Sequence, residues 1–253
     1  MTAHDLDHVA DGKMPLSEAS LHIPDPKDLD PSPPYTESAV PPQSSAPTGP
    51  SRLHILGATW GGINVTSDIQ GLIEVDKSSQ FQRLKLNMHI IHTQLLPDPE
   101  ITIIKTLTIL YQYDGGDLHV LNASQFAPQI NVKITPTAHL DQSTGIRQAL
   151  FPKFITTLSG NPWRSASGNG RVEILAVLYG TGRIQTPDVL EDLASFFEGR
   201  RGQIRTTTEF FRTDPWPGHR KSWTVYFRFV GSGLVQCVSG MENRALELPW
   251  RQG

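Results

Sequence analysis

The sequence predicts a mainly β fold made of two tandem β-sandwich domains, each with one short helix at most. An apolar strand that ends in an aromatic residue and a glycine occurs twice, at 53–61 and 172–180. A strand of alternating large side chains follows each of them, at 105–113 and 221–229. Short strands of this kind, separated by proline- and glycine-rich turns, are typical of β-sandwiches.

The two pairs of strands form an internal repeat. The copies lie 119 residues apart at the first landmark and 116 apart at the second, so small insertions separate them. A turn rich in proline and aspartate also precedes the second landmark in each copy, at 96–100 and 213–217. Landmarks that recur in one order predict two copies of one structural unit.

Alternation along the strands identifies the face that each presents to its core. Side chains of period two are Leu107, Ile109, Tyr111 and Tyr113 in the first copy, and Trp223, Val225, Phe227 and Phe229 in the second. A period of two is the pattern of a β-strand, so we expect these residues to face a core. Further strands are predicted over 83–92, 117–122, 128–134, 203–211, 233–238 and 244–249.

One helix stands out in the second copy. Thr186 can cap it and Pro187 suits its first position, while Val189, Leu193 and Phe196 share one face. The matching stretch of the first copy, 66–73, predicts a shorter helical turn.

Composition divides the chain into four segments. Residues 1–50 hold 10 of the 20 prolines and 8 acidic against 2 basic side chains, which predicts a disordered acidic tail. The first sandwich is predicted over 51–137 and the second over 172–253. Residues 138–171 are predicted to be a linker that packs between the copies.

Composition also excludes several classes of protein. No apolar run is long enough for a membrane helix, and the N-terminus lacks the apolar core of a signal peptide, so we expect a soluble cytoplasmic protein without membrane contact. The single Cys237 can form neither an internal disulfide nor a cysteine-based metal site. Phosphate loops, GxGxxG, HExxH and GxSxG motifs are missing, and we expect no cofactor.

The landmarks of the two copies resemble a known family. Both copies are similar to the uncharacterised β domain at the C-terminus of DnaJ subfamily C proteins, which also occurs in stand-alone fungal and bacterial proteins. The residues that carry the resemblance are Ile55, Trp60, Gly61, Val65, Thr66, Lys105 and Tyr111 in the first copy, and Ile174, Tyr179, Gly180, Phe211, Asp214, Pro215, Trp216, Pro217, Gly218, Lys221 and Phe227 in the second. The resemblance implies a β fold for both copies and brings no defined activity with it.

Two pairs of residues could have a functional role. Trp60 and Tyr179 occupy equivalent positions, each before a glycine, and either pack over a tight turn or form a stacking wall for a planar ligand. His89 and His92 stand three apart, which on a strand places them on opposite faces, so we expect no metal site there.

The junction between the copies is the expected place for a ligand cleft, since clefts form preferentially between domains. Aromatic candidates for ligand binding are Trp60, Trp163, Tyr179 and Trp216. If the protein is an enzyme, the candidate acid, base and electrostatic groups are His219, Asp214 and Arg164.

Two functions remain open on the sequence. The first is a non-catalytic binding or interaction protein whose partner is a small apolar molecule or a protein. The alternative is a cofactor-independent cyclase or isomerase that acts on a hydrophobic small molecule at the junction. The second copy is locally basic, but its cations alternate with Gly, Gln and Thr, which favours a solvated face over a nucleic-acid surface.

Overall fold

The computed structural model describes residues 51–87, 103–114, 116–125, 131–136, 153–158, 160, 162–166, 170–246 and 248. They belong to one compact unit, Ser45–Gly253. The acidic segment 1–50, His89, His92 and the turn 96–100 lie outside the described residues. The described part is mainly β, as predicted, and none of its helices is long and apolar enough to span a bilayer.

In the first half of the described chain, strands flank one short helix. Its elements are β1 (Leu53–Trp60), β2 (Ile63–Asn64), α1 (Thr66–Gly71), β3 (Ile73–Val75), β4 (Gln82–Asn87), β5 (Thr106–Tyr113), β6 (Leu118–Ser124) and β7 (Asn131–Ile134).

The segment predicted as a linker contains two strands, and the second half follows it. These elements are β8 (Lys153–Thr157), β9 (Trp163–Arg164), β10 (Val172–Tyr179), β11 (Gly182–Arg183), α2 (Pro187–Phe197), β12 (Ile204–Arg205), α3 (Thr208–Phe211), β13 (Ser222–Phe229), β14 (Gln236–Met241) and β15 (Ala245–Leu246).

Two five-stranded antiparallel sheets form the centre of the molecule. The first has the order β2-β1-β5-β6-β8, and the second has the order β11-β10-β13-β14 with β9 paired to β10. The linker therefore supplies β8 to the first sheet and β9 to the second. Smaller sheets, β3-β4-β7 and β12-β15, lie outside these two.

The central strand pairs of the two halves have the same register. Trp60 lies opposite Leu107 in the β1–β5 ladder, and Tyr179 lies opposite Trp223 in the β10–β13 ladder. Both ladders are also interrupted by an irregularity at the same point, between 55 and 57 and between 174 and 176. The shifts of 119 and 116 residues found in the sequence relate each pair to the other.

Each large sheet buries one face in its own hydrophobic core. The first core joins β1, β5 and β6 to α1 and to Leu84, Leu86 and Ile134 of the small sheet. The second joins β10 and β13 to the apolar face of α2. The predicted core-facing residues lie in these two cores, apart from Phe229, which is 37% exposed at the end of β13.

Both predicted helices are present, and a third element corrects the sequence interpretation. α2 begins at Pro187 directly after Thr186, whose side chain does not make the expected cap hydrogen bond, and α1 occupies most of 66–73. The strand predicted over 203–211 is wrong beyond residue 205, because the Thr207 hydroxyl accepts a hydrogen bond from the Phe210 amide and caps α3. The second half thus has two helices where at most one was expected.

The opposite faces of the two large sheets pack on each other. We call this contact the inter-sheet interface. Its apolar members are Leu110, Val120, Leu175, Ala176, Leu178 and Tyr226. On β5 and β13, the polar side chains that point away from the strand's own core are therefore buried as well. Alternation along the strands does not indicate this.

Hydroxyl groups cross the inter-sheet interface and bond to one another. Thr106 contacts Ser222 at 2.8 Å, Thr59 contacts Thr224 at 2.7 Å, and Thr108 contacts the Tyr226 hydroxyl at 2.9 Å. Since buried polar groups without partners are costly, these contacts allow threonine and serine to occupy an interior position.

Candidate functional site

A cleft of about 450 Å³ opens where the inter-sheet interface reaches the molecular surface. This volume lies in the range of about 300–1,000 Å³ that is common for small-molecule sites. Both halves contribute to its lining: Gln112, Gly116, Asp117, Leu118 and Leu158 from the first sheet and its loops, and Gly160, Pro162, Trp163, Ile174, Leu175, Ala176, Val177, Arg183, Ile184, Gln185, Leu190 and Arg228 from the linker and second half.

Apolar and polar groups contribute about equally to the wall of the cleft. Leu118 and Leu158 are partly buried and pack on the inter-sheet interface. Leu175 and Ala176 belong to that interface, and Trp163 packs against the second core. An apolar molecule in the cleft would thus extend an existing hydrophobic cluster.

Arg183 is the unusual polar group of the cleft. It lies in β11 opposite Leu178, and cross-strand partners project from the same face, so its side chain lies on the inter-sheet side. Its Nε is buried and has no hydrogen-bond partner among the described residues. Burial lowers the pKa of the Arg183 guanidinium, although an arginine stays protonated near neutral pH.

The other arginine of the cleft, Arg228, has a carboxylate partner. Arg228 donates from Nε to Glu173, and Arg164 donates to the same carboxylate from Nε at 2.8 Å. Burial alone would raise the pKa of Glu173, but the hydrogen bonds from Arg228 and Arg164 outweigh it and hold this pKa below its usual range. Arg183 is therefore the cation of the cleft without such a partner in the described part of the chain.

A second polar cluster lies at the other end of β13. The Lys221 ammonium contacts Asp214 at 2.9 Å and Glu242 at 3.7 Å, and it is almost completely buried. Glu242 also accepts hydrogen bonds from the Tyr179 hydroxyl and from Thr208 at 2.7 Å. We call these five residues the buried ion cluster.

The first half has a counterpart of this cluster, built around Lys105. Lys105 donates to the Ile103 carbonyl at 2.8 Å, as Lys221 donates to the His219 carbonyl at 2.7 Å. Gln125 takes the place of Glu242, since its side chain accepts from the Lys105 amide at 2.9 Å. The two lysine sites thus share a backbone framework, with Glu242 in the second half where the first half has Gln125.

The buried ion cluster makes stability depend on pH. Burial raises the pKa of Glu242, but the hydrogen bonds from Tyr179 and Thr208 and the charge of Lys221 outweigh this, and the pKa is lowered. The unfolded chain then binds more protons in acid than the folded one, so Glu242 stabilises the fold above a pH of about 4.3 and ceases to do so as the pH falls through its folded pKa.

We expect Glu242→Gln to lower the free energy of unfolding at pH 7 by about 1–3 kcal/mol and to matter less in acid. Urea unfolding at pH 7, 4 and 3 measures both effects. Glu74→Gln is the control, because Glu74 is half exposed on the surface beside Arg83. If Glu242→Gln lowers the free energy of unfolding by the same amount at all three pH values, the loss comes from packing and not from charge.

The structure separates the residues that the sequence suggested for one site. Trp163 lines the cleft, and Arg164 next to it is bound to Glu173. Trp60 and Tyr179 are fully buried in the first and second cores, and neither lines the cleft.

The remaining candidates lie in the loop that precedes β13. Asp214 belongs to the buried ion cluster. Trp216 stacks on the His219 ring with 4.7 Å between the ring centres, and this loop does not line the cleft. Trp163 is thus the one predicted ligand-binding aromatic found there.

Sequence reasoning did not single out Arg183, Leu118 or Leu175. Arg183 stands in a short hairpin without a motif, and the signal for it is the comparison of the two halves, in which Asn64 lies opposite Thr59 as Arg183 lies opposite Leu178. Leu118 and Leu175 become part of a site only when the two sheets pack together.

Ion pairs account for several cations of the basic second half. Arg200 contacts Glu198 at 2.7 Å, and Arg201 pairs with Asp192. Among the described residues, no three His, Cys, Asp or Glu side chains lie close enough to hold a metal ion.

Comparison of the chain with protein-family models, with curated proteins and with solved structures returns no match. The resemblance to the C-terminal domain of DnaJ subfamily C proteins stays a prediction.

Proposed function

We propose that this chain is a non-catalytic binding protein that holds a small, largely apolar molecule in the cleft between its two halves. The observation that carries the proposal is the cleft itself, about 450 Å³ in volume and walled by leucine, alanine and tryptophan side chains from both halves. Sites for small molecules are concave and mostly apolar, with a few polar groups that orient the ligand.

The placement of the candidate catalytic groups supports binding over catalysis. A general acid or base must lie within hydrogen-bond reach of the reacting atoms. His219, Asp214 and Arg164 are not among the residues that line the cleft, and the two charged ones are bound to other side chains. The described lining offers no histidine, so the cyclase or isomerase alternative has less support.

We further propose that the two halves are copies of one β-sandwich unit, with the cleft at their junction. The shared register of the β1–β5 and β10–β13 ladders supports this, as does the irregularity at the same point of each. In this proposal the cleft arises from the pairing of the copies and not from either copy alone.

A neutral apolar fluorophore tests the binding function. Phenylnaphthylamine is expected to bind with a stoichiometry of one, and its fluorescence should rise as it leaves water. Trp163 lines the cleft, so Trp163→Phe should remove most of the quenching of tryptophan emission that accompanies binding.

Two leucine-to-tryptophan variants locate the site. Leu118→Trp fills the cleft from its wall and should weaken binding of phenylnaphthylamine by about tenfold or more, which corresponds to roughly 1.4 kcal/mol. Leu234→Trp is the matched control, because Leu234 is 65% exposed and does not line the cleft. Equal affinities of the two variants, or no saturable binding by the unaltered protein, would refute the proposal.

A further inference from the structure

We infer that the ligand of the cleft is an amphiphilic monocarboxylate whose carboxylate binds the guanidinium of Arg183 and whose apolar body lies against the leucine walls. This inference rests on the proposed binding function and names the class of ligand.

Arg183 has a buried N–H donor that no described residue satisfies. A buried donor without a hydrogen-bond partner is unfavourable, and proteins retain one mainly where something compensates it. The Nε of Arg183 is buried and has no hydrogen-bond partner among the described residues, while the side chain as a whole is partly exposed. Because the side chain lines the cleft, a ligand there can supply the missing anion.

The geometry of the group favours a carboxylate. A guanidinium presents parallel N–H donors that match the two oxygens of a carboxylate. Hydrogen bonds of this charged kind are about twice as strong as neutral ones.

The charges around the cleft favour a single negative charge on the ligand. Arg228 and Arg164 share the single negative charge of Glu173, which leaves one positive charge on this group. Asp117, also in the lining, is exposed and negative, and it disfavours a phosphate dianion. Asp117 offsets the charge left on Arg164, Arg228 and Glu173, so the charge of Arg183 remains and matches one carboxylate.

The walls define the rest of the ligand. Leu118, Leu158, Trp163, Leu175, Ala176 and Leu190 provide apolar surface. Against these side chains the hydroxyl groups of a sugar would lose hydration without gaining partners, which is costly. An aliphatic or aromatic body gains instead from the burial of its surface.

Of the two corresponding positions, only that of the second half carries an arginine. In the first half, the position of Arg183 is occupied by Asn64, whose side chain accepts a hydrogen bond from the Thr66 hydroxyl at 2.7 Å. Asn64 carries no charge and has local partners, so we expect one carboxylate site per chain.

A pair of probes that differ by one anionic group tests the inference. Anilinonaphthalene sulfonate is phenylnaphthylamine with an added sulfonate, so it reports on the contribution of the anion. Decanoate and decanol then displace the bound probe and make the same comparison for a carboxylate. For the unaltered protein, we expect each anion to bind about 10- to 100-fold more tightly than its neutral partner.

Arg183→Gln should abolish this preference by weakening the binding of the anionic partners. Arg183→Lys keeps the charge without the parallel donors, so it should retain only part of the preference for decanoate. Arg205→Gln is the matched control, because Arg205 is exposed in β12 and does not line the cleft.

The outcomes separate this inference from the proposed function. Equal binding of anionic and neutral partners by the unaltered protein would overturn the carboxylate and leave the binding function standing. A preference that survives in Arg183→Gln would place the anion elsewhere and overturn the role of Arg183. No saturable binding of phenylnaphthylamine would overturn the proposed function itself.

The melting temperature of Arg183→Gln without ligand gives a further test. If the charge of Arg183 is uncompensated, Arg183→Gln should melt at the same temperature as the unaltered protein or higher. A marked fall in its melting temperature would show that a partner within the protein holds Arg183, and the inference would then be wrong.

Discussion

Trp223→Ala is expected to lower the free energy of unfolding by about 3–5 kcal/mol. Trp223 lies in the second core, 3% exposed, and pairs with Tyr179 across the β10–β13 ladder. Its indole Nε1 also donates to the Met241 carbonyl at 3.2 Å. The ring fills space that Gly240 leaves free, because a Cβ on that glycine would lie 2.8 Å from the indole.

Urea unfolding followed by circular dichroism measures this loss. Trp223→Phe keeps an aromatic ring but not the indole N–H, so it should cost less than the alanine variant. Trp163→Ala removes an indole that is only partly buried and serves as the second comparison. An alanine variant at 223 with unaltered stability would mean that this strand does not present its odd-numbered side chains to a core.

Gly62→Ala is expected to destabilise the packing of the two halves by a total of about 2–4 kcal/mol. Gly62 lies in the β1–β2 turn with a φ of 84°, a conformation that costs an alanine strain. A Cβ there would also stand 2.7 Å from the backbone C and O of Gly240 in β14. Because these are backbone atoms, relief requires that the turn and β14 separate.

Gly231→Ala isolates the contribution of the backbone angle. Gly231 has nearly the same φ, 81°, but a Cβ there would have no neighbour within 4 Å. It should therefore cost only about 1–2 kcal/mol, and the difference between the two variants measures the clash. Equal losses of unfolding free energy, determined by urea titration, would mean that the turn and β14 do not touch in solution.

The sequence predicts the parts of the fold that local patterns encode. Alternation in β5 and β13 identifies the core faces, and Pro187 and its acidic neighbour Asp188 mark the start of α2. The second buried face of these strands escapes such reasoning, since Thr108 and Thr224 resemble the solvent-facing residues of an ordinary strand. Only the packing of sheet on sheet makes them interior.

The candidate site is less predictable for the same reason. The junction of the halves and Trp163 follow from the sequence, because linkers between repeated domains tend to border clefts. Arg183 could not be identified, since what distinguishes it is the lack of a partner in the described structure, and a missing contact leaves no mark on local sequence. The two helices of the second half show the same contrast. The sequence predicts α2 but not α3, because α3 depends on one hydroxyl cap.

The hydroxyl contacts of the inter-sheet interface are arranged as if a two-fold axis related the two sheets. Thr106 contacts Ser222 and Thr108 contacts Thr224, and in each case a position touches its own counterpart 116 residues later. Such self-complementary contacts are the mark of isologous dimers, in which one surface meets itself. Here a single polypeptide contains both sides, so mutation can alter one without the other. Arg183 and Asn64 occupy symmetry-related positions and differ, which a true homodimer could not achieve.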